Sequence, residues 1–135
     1  MIYACSRCFR VHNEKSLAKD SEGKYYCSQP GCEEELIQID EMILETILLL
    51  WKKGYDTSAC CSGHCQGNAY NVPYIIFSDK KDKDLFPLPK GYVMKGLREG
   101  TILEPKKKMR APDMHTIFRR NDRLLTWAEK IPKIF

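Results

Sequence analysis

Cys5-Ser6-Arg7-Cys8 and Cys27-Ser28-Gln29-Pro30-Gly31-Cys32 decide how this chain is read. Two short loops, eighteen residues apart, each deliver a pair of thiols. A two-residue spacing lets both sulfurs of a turn reach one ion at about 2.3 Å, and four thiolates suit the tetrahedral site that zinc prefers. The second loop is two residues wider, and Pro30-Gly31 predicts the tight turn that brings its ends together. Residues 1–39 therefore read as a zinc ribbon with Zn²⁺ on Cys5, Cys8, Cys27 and Cys32. Paired disulfides are the alternative, and they need an oxidising compartment.

Short strands are expected on either side of the knuckles. Met1 to Ala4 enters the first, Phe9 to His12 leaves it, and Leu36 to Ile39 closes the ribbon. His12 is left outside a shell that four cysteines already fill. The sequence runs from Met1 straight into the first knuckle with no signal-peptide pattern, and its longest apolar run, Ile47 to Trp51, is far shorter than a bilayer span. A cytoplasmic protein with no membrane partner is expected.

A helix follows. Asp40 suits its N-cap, Ile43, Leu44, Ile47, Leu48, Leu50 and Trp51 give it a broad apolar face, and Gly54 suits its C-terminal stop. Strand patterns appear from Tyr55 up to a tight loop at Cys60–Cys65, and at residues 74–77, 92–94 and 101–103. A closing helix is expected after Asp113, with Met114, Ile117, Phe118, Leu124, Leu125 and Ala128 inward and Pro132 ending it. Short connections favour antiparallel pairing. The class is α+β: the ribbon, then residues 40–135 as a small antiparallel sheet of three or four strands with two helices.

At 135 residues, 43% hydrophobic and 30% charged, the composition is that of an ordinary folded chain. The formal charge is +4. The acidic excess falls in residues 1–54 and the basic excess in residues 55–135. Lys106, Lys107, Lys108 and Arg110 form one basic run, and Arg119, Arg120 and Arg123 one helical patch. These are the candidates for contacting nucleic acid through its phosphates. A solvated face, or a protein partner, accounts for the same charges.

Cys60-Cys61-Ser62-Gly63-His64-Cys65 is the other chemically equipped stretch. It reads three ways: a second metal site, a reactive Cys61 thiolate paired with His64, or a strand end whose cysteines pack as small apolar residues. As a site, Cys61 and His64 would line a pocket with Tyr55, Tyr74 and His115.

Tyr55-x-Thr57-x-x-Cys60-Cys61-Ser62-Gly63-His64 resembles the Tyr-x-Thr-x-x-Ser-Cys-Ser-Gly-Arg signature of the wybutosine-synthesis methyltransferase family. That resemblance implies an S-adenosylmethionine-dependent RNA-modifying enzyme, although His64 stands where the family has arginine. Lys52-Lys53-Gly54-Tyr55, Cys61-Ser62-Gly63-His64 and Leu88-Pro89-x-Gly91-Tyr92, together with the ribbon, resemble small zinc-ribbon proteins of Gram-positive bacteria and their phages. That likeness brings no activity with it; a phage-type protein that binds and inhibits a host or defence protein is an alternative reading of the chain. A nucleic-acid-binding or docking module is the reading that the charge distribution favours.

Overall fold

The computed structural model describes residues 2–61, 73–78, 85–98, 100–107 and 114–134. Three short strands form the first sheet: β1 (Ile2–Ala4), β2 (Val11–Asn13) and β3 (Ile37–Ile39), in the order β2-β1-β3, all antiparallel. Ala4 and Ile39 turn inward from this sheet and join the main core. The ribbon is thus seated on the rest of the molecule by its own alternation of side chains.

α1 (Leu44–Lys52) is preceded by one 3₁₀ turn at Glu41–Ile43. Asp40 has the extended backbone of an N-cap, but its side chain makes no capping hydrogen bond. Ile43, Ile47, Leu50 and Trp51 are buried at helical spacing, and Gly54 ends the helix at φ 97°. α1 is the spine of the core, as its sequence predicts.

β4 (Thr57–Cys61), β5 (Tyr74–Phe77), β6 (Tyr92–Leu97) and β7 (Gly100–Pro105) make an antiparallel sheet in the order β4-β5-β7-β6. Its inner face supplies Ile75, Phe77, Tyr92 and Leu103 to the core. Gly100 is where β7 starts alongside β5. A Cβ there would meet the Phe77 carbonyl oxygen, so the close approach requires glycine.

α2 (Met114–Lys130) buries Ile117, Asn121, Leu124, Trp127 and Ala128. The buried stripe differs from the expected one. Met114 and Phe118 are 48% and 62% exposed, and Trp127 takes the inward place. Asp113, expected to cap this helix, lies outside the described residues. The fold is α+β, a ribbon-like N-terminal unit followed by a four-stranded antiparallel sheet with two helices. Among the described residues no helix is long and apolar enough to cross a membrane.

Candidate functional site

The two cysteine loops are built alike. Cys5 N–H donates to the Arg10 carbonyl at 3.0 Å, closing the first loop, and Cys27 N–H donates to the Glu34 carbonyl at 2.8 Å, closing the second. The two extra residues of the second loop are absorbed by a turn. Cys32 N–H donates to the Gln29 carbonyl at 3.0 Å with Gly31 at φ 80°, the positive φ that the third residue of a type II turn needs. The residue after the second cysteine of each loop, Phe9 and Glu33, has φ 64° and 53°. These are the positive-φ residues other than glycine among those described, and each lets the chain curl back under the sulfurs. Nothing in the sequence marks them, because glycine is the residue normally expected there.

The result is a compact group of thiols. Cys5 Sγ lies 3.5 Å from Cys32 Sγ, Cys8 Sγ lies 3.5 Å from Cys27 Sγ, and all four sulfurs fall within 4.8 Å of one another. A tetrahedron of sulfurs at about 2.3 Å from a central ion has edges of about 3.8 Å. The observed separations bracket that edge, so the four side chains fit one four-coordinate metal ion. Cys5 and Cys27 are buried while Cys8 and Cys32 are half-buried.

The local electrostatics point the same way. Burial pushes the Cys27 thiol up to about 12, helped by the neighbouring sulfurs and opposed by the Gln29 N–H. Burial likewise raises Cys5. At Cys8 burial also raises the thiol, but the Arg10 N–H and the other thiols outweigh it and bring it down to about 7. Without a cation the buried Cys5 and Cys27 are held as thiols, whereas a divalent ion makes four thiolates tolerable. The Cys8 N–H lies 3.4 Å from Cys5 Sγ as a donor, and His12 Nε2 lies 4.0 Å from Cys27 Sγ. His12 thus stands against the cluster rather than in it, the place of a group that supports a ligand.

The basic residues occupy a second region. Lys106 and Lys107 are exposed just beyond β7, and Arg119 and Arg123 are exposed on α2. Arg120 Nη2 donates to the Lys107 carbonyl at 3.3 Å, so two basic runs apart in sequence meet in space. Arg120 itself is half-buried and anchored, and the Tyr92 hydroxyl reaches its carbonyl at 3.5 Å. Lys108 and Arg110 lie outside the described residues.

Little of the expected second thiol site is placed. Cys61 ends β4 opposite Tyr74. Its side chain, and all of His64 and Cys65, lie outside the described residues. Tyr55 has another role: it is 3% exposed and its hydroxyl donates to the Pro132 carbonyl at 2.7 Å. His115 is exposed on α2. Comparison of the chain with models of protein families, with curated proteins and with solved structures found no match.

Proposed function

We propose that this protein is a small zinc-ribbon docking module whose basic surface contacts nucleic acid. Zn²⁺ is the ion best suited to the cysteine cluster. Four sulfurs complete its shell and leave no open position, which fits a structural site and not a catalytic one. Elemental analysis of freshly purified protein tests the metal: one zinc per chain is expected, and its absence overturns the assignment.

The nucleic-acid reading is carried by one observation, the Arg120–Lys107 contact that joins the two basic runs. Lys106, Lys107, Arg119 and Arg123 then form one exposed cationic surface, the arrangement that phosphate contacts need. Labelled single- and double-stranded oligonucleotides, titrated between about 50 and 200 mM salt, provide the test. Binding is expected to weaken steeply with salt. Alanine at Lys106, Lys107 and Arg119 together is expected to flatten the logarithmic slope by about 2–3, because each lost phosphate contact removes roughly 0.7–0.9. No binding at the lowest salt, or a slope untouched by the triple change, rules the reading out.

A protein partner, such as a host or defence factor, is the second reading. The exposed Met114 and Phe118, one helical turn apart on α2, favour it.

A further inference from the structure

Residues 85–91, just before β6, lie against the C-terminal half of α2, and a cavity of about 310 Å³ opens between the two segments. Leu88, Trp127 and Ile131 line it as apolar walls. Lys90, Arg123 and Lys130 bring cations to it, with Asp122 as the acidic residue of the lining. The cavity is preformed. Trp127 Nε1 donates to the Leu85 carbonyl at 3.0 Å, so the indole is tied to the opposite wall. Ile131 N–H donates to the Trp127 carbonyl at 3.2 Å, and its own carbonyl is held by Lys53.

The charges are available. Lys90, Arg123 and Lys130 are exposed, and none of them takes part in an ion pair among the described residues. On an open helix face three such cations would be ordinary solvated side chains. Here they converge from two chain segments on one apolar-walled hollow, where low-dielectric walls strengthen the field that an anion meets. The volume sits at the lower end of the range for small-molecule sites, about 300–1,000 Å³. It suits one ring system with its charged group and excludes a long chain.

We propose that this cavity binds a small aromatic anion. The ring lies against Leu88, Trp127 and Ile131, and the anionic group sits among Lys90, Arg123 and Lys130. A nucleoside monophosphate and an aromatic carboxylate share this chemistry.

The test titrates the folded, metal-loaded protein with anilinonaphthalene sulfonate, a fluorescent aromatic anion, and with phenylnaphthylamine, its uncharged counterpart. One sulfonate dye per chain is expected, and the neutral dye is expected to bind about tenfold more weakly or worse, the scale of losing a charge-assisted contact. The double variant Lys90→Glu, Lys130→Glu is expected to weaken the sulfonate about tenfold or more. Thr126→Phe, an exposed lining position, is expected to abolish binding by filling the hollow while all the cations remain. Both variants change surface residues; Thr126→Phe is expected to keep the parent melting midpoint, and the charge reversal, which puts Glu at the C-terminal end of α2, to lower it slightly while the protein stays folded. Displacement of the dye by adenosine monophosphate assigns the site to nucleotides, and displacement by benzoate assigns it to aromatic acids. Equal binding of the neutral dye, or sulfonate binding unmoved by the charge reversal, overturns the proposal. Lys90 and Lys130 are not among the residues assigned to nucleic acid, so failure here leaves that reading standing.

Discussion

At the scale of single residues, the knuckles hold a conformational cost that can be measured. Phe9 and Glu33 both occupy the left-handed region, at about 1–2 kcal/mol for a residue with a Cβ. They differ in what else they do. Glu33 is exposed. Phe9 packs against the main core and lies under the Lys52 ammonium at 5.9 Å. Glu33→Gly is therefore expected to stabilise the protein by roughly 0.5–1 kcal/mol, after the extra chain entropy of glycine is counted. Phe9→Gly relieves the same strain but loses ring burial, and is expected to destabilise by about 1–2 kcal/mol. Urea denaturation of the two variants checks both signs. If Glu33→Gly is the more harmful of the two, the positive φ is not where the cost lies.

At the scale of elements, the Lys52-Lys53-Gly54-Tyr55 run becomes intelligible as a clamp. Lys53 Nζ donates to the carbonyls of Ala128, Glu129 and Ile131 at 2.6, 2.8 and 2.7 Å. These belong to the C-terminal end of α2, where backbone acceptors lack helical partners and a cation is favoured. Tyr55 adds its bond to Pro132, and Ile134 N–H returns to the Lys53 carbonyl at 2.8 Å. The end of α1 thus fastens the end of α2. Lys53→Met, which keeps the aliphatic stem and removes the three donors, is expected to cost about 2–3 kcal/mol. Lys52→Met, whose ammonium makes, among the described residues, only the Phe9 ring contact given above, is expected to cost under about 1 kcal/mol. Chemical denaturation separates the two, and equal losses would show that the carbonyl contacts add nothing. Gly100→Ala belongs at this scale too. With the Phe77 carbonyl in the way of any Cβ, the β5–β7 pairing must shift, and a loss of about 3 kcal/mol or more is expected in the same measurement.

These elements also show what the sequence can and cannot disclose. The cysteine spacing announced the ribbon, and the Pro30-Gly31 turn and the α1 stripe were equally readable, because each is set by local geometry. The Lys53 clamp was not, since its acceptors lie more than seventy positions away. Nor was the face of α2. Asn121 is buried, with Nδ2 donating to the Ile117 carbonyl at 2.8 Å, while Phe118 faces out. A polar residue inside and an aromatic one outside blur the period that would have set the helix phase. That the four cysteines gather as one candidate metal site was legible in their spacing, but the meeting of Lys107 with Arg120 and the cavity beside Trp127 depend on tertiary packing alone.

At the scale of the whole molecule, the question is how far folding depends on the metal. The knuckles have a small core of their own, in which Tyr25 and Leu36 are buried beside Cys5 and Cys27. The remaining core is supplied by α1, α2 and the four-stranded sheet, with Ala4 and Ile39 as the ribbon's share. Structural zinc contributes on the order of 10–16 kcal/mol in small fingers, as much as a whole domain's stability of about 5–15 kcal/mol. Losing it should therefore melt the knuckles, while the larger core keeps the rest. Protons compete with an ion for thiolates, so a metal bound by the four cysteines would be held at neutral pH and released as the pH falls. Chelation at neutral pH, mild acid, and the double variant Cys8→Ser, Cys27→Ser are expected to act alike. In each, the amides of Cys5, Phe9, Cys27, Cys32 and Leu36, whose hydrogen bonds close the knuckles, lose protection from hydrogen exchange. Those of Lys53, Gly54, Tyr55 and Ser78, bonded within the larger unit, keep it. Simultaneous loss at all of these amides would mean that the ribbon and the sheet-and-helix body fold as one unit. Protection unchanged at the knuckles would mean that the four thiols need no ion to hold their places.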